Sequence, residues 1–241
     1  MCIRDRLTPG YASKQIPNPD LKWEVKHTFN TGIDVALFGN RLLLSANYYN
    51  SRTTDMLYLY NVSVPPFTYN TLLANIGSMR NWGTEIAIGI TPLKIKDMEL
   101  NINANITFQR NKLLSLSGMY NGEMLSAPEY KSLASLDGAG FHGGYNHIVY
   151  QMVGQPLGVF YLPHSTGLES DGNGGYTYGI ADLNGGGVSL EDGEDRYVAG
   201  QAVPKTILGS NISFRYKRFD LSLQVNGAFG HKIYNGTSLT Y

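Results

Sequence analysis

Cysteine is almost absent: Cys2 stands alone among 241 residues, which excludes an intrachain disulfide and a cysteine-ligated zinc site. Charge is scarce too. Lys, Arg, Asp and Glu make up 16% of the chain, against about 25% in ordinary soluble domains. The 19 basic and 19 acidic residues cancel, so no net field steers the protein toward nucleic acid. No apolar run approaches the roughly 18 residues that a membrane helix needs. Membrane barrels escape that test, because their strands hide one apolar face in an alternating pattern. Residues 1–6 (MCIRDR) contain no apolar h-region and give no secretory signal. Residues 1–17 read as a non-native start and linker.

Catalytic signatures are missing as well. The chain has no G-x-S-x-G elbow, no phosphate-binding loop and no H-E-x-x-H pair. His27, His142, His147, His164 and His231 are scattered without metal-ligand spacing. An enzyme is not expected.

What is abundant is Gly (28) and Tyr (17), set in a period-two alternation that marks strands with two unlike faces. From Leu100 to Gln109, Leu100, Ile102, Ala104, Ile106 and Phe108 share one face, and Asn101, Asn103, Asn105, Thr107 and Gln109 the other. A helix would scatter those apolar residues around its circumference. The same pattern predicts strands over Trp23–Leu37, Leu42–Tyr49, Trp82–Ile90, Leu208–Tyr216 and Phe219–Phe229.

The connections sort by length. Phe38 to Arg41 and Lys217-Arg218 are tight turns, and Thr91 to Asp97, with Pro92, is somewhat longer. The stretches from about 58 to 72 and 115 to 201 are long. Outer-membrane barrels place short turns on the periplasmic side and long loops outside. Strand lengths agree, since a membrane crossing takes about 9–11 tilted residues and globular strands average about 5–6. Phe38, Phe214, Tyr216 and Phe219 near the short turns, with Tyr48 and Tyr49 toward the other end, fit two aromatic girdles. The expected fold is therefore all-β: an antiparallel transmembrane barrel, present only in part. Six strands cannot enclose a wide lumen, so the chain forms an arc. Residues 18–241 carry that arc, its apolar face toward the lipid bilayer. A soluble carbohydrate-binding β-sandwich, whose strands also alternate, and a passive porin are the alternatives.

Several segments carry a family resemblance. Asn18-Pro19-Asp20-Leu21-Lys22-Trp23-Glu24 resembles the N-P-x-L-K-W-E segment of SusC/RagA-like TonB-dependent transporters. Gly32-Ile33-Asp34, Leu37 to Leu42 and Tyr48-Tyr49 resemble the hairpin that follows it there. Asn75-Ile76-Gly77 with Asn81-Trp82-Gly83-Thr84-Glu85-Ile86, Gly154-Gln155-Pro156-Leu157-Gly158 with Phe160-Tyr161, and Tyr216 to Leu221 also match, in family order. The resemblance implies a barrel of about 22 strands with a plugged lumen, set in the bacterial outer membrane. It implies energy from a TonB complex, a SusD-like surface lipoprotein as lid, and oligosaccharide or sometimes peptide as cargo. It further implies a D-x-N-x-D-G loop near Asp182, and such loops suit calcium because they bring oxygen ligands onto a turning backbone. Asp182, Asn184 and Asp192 are the candidate ligands. Gly186 stands at the third acidic position and Gly193 at the twelfth, so a solvated acidic turn is the competing reading. Tyr58, Tyr60, Phe67, Tyr69, Tyr145, Tyr150, Tyr161, Tyr176 and Tyr178 could stack on sugar or a lid, or anchor the loops.

Overall fold

The structure, a computed structural model, describes residues 16–128, 130–135, 147–170, 172–189 and 194–235. Among them there is no helix. The first strands are β1 (Val25–Leu37), β2 (Leu42–Thr54), β3 (Leu57–Asn61), β4 (Thr71–Asn75), β5 (Ser78–Ile95) and β6 (Met98–Ser115). Shorter strands follow: β7 (Ser117–Tyr120), β8 (Glu123–Ser126), β9 (Tyr130–Ser135), β10 (His147–Met152), β11 (Val159–Pro163), β12 (Ser165–Ser170), β13 (Tyr176–Ile180) and β14 (Arg196–Gln201). Two long strands, β15 (Thr206–Tyr216) and β16 (Phe219–Phe229), complete the set.

The long strands form one antiparallel sheet in the order β1-β2-β5-β6-β15-β16. Its turns at 38–41, 96–97 and 217–218 all lie at one end. Phe38, Gly39 and Asn40 each adopt a positive φ, the backbone shape that tight hairpins require and that Gly and Asn accept most cheaply. At the opposite end the chain leaves the sheet for the β3–β4 hairpin and for the loop assembly built from β7 to β14. That assembly holds a four-stranded sheet, β14-β11-β10-β9, and the hairpins β7–β8 and β12–β13.

The strands run past the sequence reading at several ends: β2 continues to Thr54, β5 begins at Ser78, β6 covers Met98–Ser115 and β15 begins at Thr206. Trp23 lies before β1, which starts at Val25. The connection expected from Thr91 to Asp97 is instead mostly strand, because β5 runs on to Ile95. Pro92 sits in a register shift between Ile90 and Leu93. A bulge is where a residue without an N–H can stay in a sheet, so the proline bends the strand instead of ending it.

Register aligns like residues across the whole sheet. Ile33 pairs with Ala46, Ala46 with Ile86, Ile86 with Ile106, and Ile106 with Leu208. Leu37, Leu42, Ile90, Ile102, Ile212 and Leu223 form another such row. From the Tyr48–Thr84–Phe108 row to the Ile95–Met98–Tyr216–Phe219 row, this face carries no charge. Along β6 that is ten residue steps, Met98 to Phe108. At about 3.4 Å per step and a tilt of about 40°, the band is about 26 Å tall, matching the roughly 25 Å apolar belt of a membrane barrel.

Among the described residues nothing covers this face. Phe29 is 61% exposed and Leu221 57%, while the buried clusters lie at the long-loop end, one where the β3–β4 hairpin meets the end of β6 and one in the β14-β11-β10-β9 sheet. A sandwich would bury one face of each sheet against another, so that reading is set aside. Among the described residues β1 and β16 each pair on one side only. Within a bilayer those edge N–H and C=O groups need partners, so the sheet is an open arc of a barrel.

Candidate functional site

The opposite face is polar and stepped. Asn103, Asn211 and Gln224 align across β6, β15 and β16, and Asn101, Ser213 and Ser222 form the next row. Glycines alternate with long side chains there. Asn47 lies over Gly32, Asn105 over Gly209 and the Tyr49 ring over Gly83, each filling the space a Cβ would need. Tyr49 thus points inward and is not part of a girdle, whereas Tyr48 faces out beside Thr31. Two hollows of about 620 and 720 Å³ run along this face. One is lined by Asp34, Asn103, Asn105, Asn211 and Gln224, the other by Lys26, Asn30, Asn47, Glu85 and Gln109. At the short-turn end Arg215 Nη2 meets Glu99 Oε2 at 2.6 Å, and Lys94 Nζ lies 4.0 Å from Glu99 Oε1. This is a wettable wall.

Above it, the segments that carry the resemblance interlock. Asn75 is buried, and its amide Nδ2 donates to Lys22 O at 2.7 Å and Asp55 O at 2.8 Å, while Oδ1 accepts from Lys22 N at 2.9 Å. Asn18 Nδ2 donates to Leu73 O, and Glu24 Oε1 accepts from Leu57 N at 2.8 Å. The Asn18–Glu24 segment is therefore a strap holding the β3–β4 hairpin to the sheet. Gly154 N donates to Leu113 O and Leu113 N to Gln155 O, and Asn111 Oδ1 accepts from Leu157 N at 2.7 Å. The Gly154–Gly158 turn so docks on β6 beyond the point where β15 has begun. Spacing alone could not reveal these pairings. Asn18, Asn75 and Gly154 lie inside the segments that carry the resemblance, whereas Asn111 lies in none of them.

The candidate calcium loop is held by its own backbone. Asp182 Oδ1 accepts from Gly185 N at 2.5 Å and Oδ2 from Gly187 N at 3.0 Å; Asn184 Oδ1 accepts from Gly186 N at 2.8 Å. Asn184 Nδ2 also donates to Glu194. Asp192 lies outside the described residues. Asp195 is fully buried and accepts from Leu183 N at 2.6 Å and Ser189 N at 2.7 Å. The N–H of Ser189 first, then that of Leu183, holds its carboxyl below the usual aspartate range. Next to it, buried Arg196 donates to Tyr150 Oη at 3.1 Å and His147 O at 3.3 Å.

Most loop aromatics are anchors. Tyr58, Tyr60, Phe67 and Tyr69 pack on the cluster of Leu72, Ile76 and Leu113. Tyr150 meets Tyr161 edge to face at 5.3 Å. Tyr176 and Tyr178 on β13 are exposed, and Tyr145 lies outside the described residues. The histidines do not converge: His27 stands outward on β1, His164 packs edge-on against Tyr197, and His142 is outside the described residues. No group of three or more metal-ligating His, Cys, Asp or Glu side chains occurs among the described residues.

An antiparallel arc with one uncharged apolar face, one wettable face and connections sorted by length is the wall of a transmembrane β-barrel. Comparison with known proteins narrows that class. The model of the family described as TonB dependent receptor-like, beta-barrel, matches residues 4–240, and the chain belongs to this family of outer-membrane transporters. It is 30% identical over 250 residues to TonB-dependent receptor P3 of Formosa agariphila, covering 98% of this chain and 23% of that one. It is 25% identical over 218 residues to TonB-dependent receptor SusC of Bacteroides thetaiotaomicron, covering 90% and 20% respectively. A structure of the RagAB peptide transporter superposes with a TM-score of 0.65 at 21% identity, over 95% of this chain and 24% of that chain. The chain therefore spans less than a quarter of the relatives it matches.

Proposed function

We propose that this chain is the pore-wall segment of a TonB-dependent importer of oligosaccharides or similar nutrients, working with a SusD-like surface lipoprotein. The observation that carries the reading is the register of the six-stranded sheet. It puts an amide-rich, hollowed face toward a lumen and an uncharged face toward lipid across every strand. Membership in the receptor family and the likeness to SusC support the energised route over a passive porin. Cargo would pass between the polar wall and a plug contributed by other parts of the full protein. The exposed Tyr176 and Tyr178 offer apolar rings with polar tips to a sugar or to the lid.

The test is deletion of the full-length gene, with growth measured on single oligosaccharides and on peptides. Loss of growth on an oligosaccharide, restored by the gene only in a TonB-positive strain, is expected. Growth defects on peptides alone would reassign the cargo, and rescue without TonB would make the protein a porin.

Calcium at Asp182, Asn184 and Asp192 is a separate proposal. It is supported by the gathering of Asp182, Asn184 and Glu194 oxygens in one glycine-rich loop. Titration calorimetry on the intact receptor should give heat at millimolar calcium that Asp182→Ala abolishes. No heat would end the proposal.

A further inference from the structure

The apolar belt ends, on the long-loop side, in a basic patch on the same outward face. Register puts Arg52 directly opposite Arg80, and Arg80 opposite Lys112. One row lower, Arg110 lies opposite Trp82. His27 extends the upper row through its pairing with Arg52. All of these cations are exposed, and among the described residues none of them makes a salt bridge. The acids at this end are engaged elsewhere, Asp55 with Lys22 at 2.9 Å and Glu24 with the Leu57 N–H.

Like charges directly opposite each other on a sheet destabilise it, so a row of three calls for a counter-charge. Arg80 is already oriented for one. Its Nε donates to Asn50 Oδ1 at 2.9 Å, and its guanidinium lies 5.0 Å from the Trp82 ring centroid, so among the described residues its two terminal nitrogens are not used in a hydrogen bond.

Position decides what the counter-charge is. Arg110 sits two residues beyond the Thr84–Phe108 edge of the belt, about 7 Å along the strand and about 5 Å in height at a usual tilt, and the Arg52–Arg80–Lys112 row about 10 Å above that edge. The headgroup layer outside the hydrocarbon core is about 5–7 Å thick on each side. Arg110 is thus level with the headgroups, and the long side chains of the row above it can reach down to them along a surface that meets acyl chains. Arg binds phosphate oxygens two at a time, and Lys supplies a point charge beside them.

We infer that Arg52, Arg80, Arg110 and Lys112 form a site for the phosphate-bearing headgroup of an outer-leaflet lipid, with Trp82 and Phe29 against its glycerol or sugar backbone. The inference rests on the membrane orientation and is independent of the cargo.

The test uses the full-length receptor in detergent, native mass spectrometry as readout, and phosphatidylglycerol, phosphatidylcholine and inorganic phosphate as probes. Wild type should retain phosphatidylglycerol. The R52A/R80A/K112A variant should retain about tenfold less, the scale of losing a charge-assisted contact. R52K/R80K should keep most of it, and Lys26→Ala on the lumen face should change nothing. Assembly is checked by heat-modifiable gel mobility; if the triple variant does not assemble, R52Q/K112Q carries the same expectation. Undiminished phosphatidylglycerol retention in the variants overturns the site. So does equal retention of phosphatidylcholine, or binding of inorganic phosphate without lipid.

Discussion

In the six-stranded sheet, large apolar side chains stand outward with none of the described residues packed over them: Ile33 is 63% exposed and Leu223 54%. At the long-loop end, Leu72, Ile76, Leu113 and Tyr150 are 0% exposed, packed as in a small soluble domain. The same residue types meet two solvents. Outward on the sheet, lipid fills whatever space a side chain leaves, so chemistry matters more than fit. In the loops neighbouring side chains do the filling, so shape matters as much as polarity.

The hardest way to break that comparison is a charge on the belt. Leu223→Lys places a cation near mid-membrane at about 2–4 kcal/mol, on top of about 1.5–3 kcal/mol for the apolar side chain removed. Ile106→Arg, one row inside the edge of the belt, costs somewhat less. The full-length protein should then fail to assemble, seen as loss of the heat-modifiable band in outer-membrane fractions. Asn105→Arg, one position along β6 but on the wet face, should assemble. Normal insertion of both belt variants would mean that the faces are assigned the wrong way round.

Truncation should discriminate in the other direction. Leu72→Ala leaves a cavity among Ile76, Leu113 and Leu116, a loss of about 2–5 kcal/mol confined to the long-loop end. Leu223→Ala carries only the transfer part, since lipid closes the gap. Limited proteolysis of the assembled receptor should show the 57–75 hairpin cut sooner in the first variant and unchanged in the second. Equal protection in both would place the hairpin core in a fluid environment like the belt.

A smaller effect is expected at the strap. Asn75→Ala removes three hydrogen bonds and strands the Lys22 N–H, a cost of about 1–3 kcal/mol for a buried partner left unpaired. Hydrogen exchange should quicken at Lys22 and through β3–β4 while the belt strands stay protected. Unchanged exchange at Lys22 would show that the Asn18–Glu24 segment is held by something else.

These two regions were not equally legible in the sequence. The belt strands could be read because a membrane demands an unbroken apolar face over ten or more residues, and Leu100 to Gln109 spells it out. Even there, Pro92 hid the last third of β5, since composition cannot distinguish a strand end from a bulge. The loop strands are four to six residues long, too short for a period to show. Val159-Phe160-Tyr161 is simply a continuous apolar run, buried on both sides. What orders the loops is long-range pairing of single amides, such as Asn75 with Lys22 and Asn111 with Leu157, and no local pattern encodes it. The buried role of Asp195 was concealed for the same reason, since its partners are backbone N–H groups of Leu183 and Ser189.

Asp195 gives the finest contrast, because its effect depends on pH and the belt's does not. Its folded carboxyl is held below the ordinary aspartate value, chiefly by the Ser189 N–H and then by that of Leu183. A carboxyl lowered on folding adds stability that is fully present above its unfolded value and lost as pH falls through the lowered folded one. The 182–189 turn should therefore stay closed from neutral pH down past the usual aspartate range, then open in stronger acid while the six-stranded sheet stays intact. Hydrogen exchange at Leu183 and Ser189 in the full-length receptor, corrected for the intrinsic pH dependence of exchange, follows this directly. Asp195→Asn should flatten the acid response and leave the turn looser at neutral pH, since the amide accepts through one oxygen where the carboxylate accepts through two. Opening already above the ordinary aspartate value would show that those N–H groups do not hold the carboxylate. The turn would then depend on Asp182 alone.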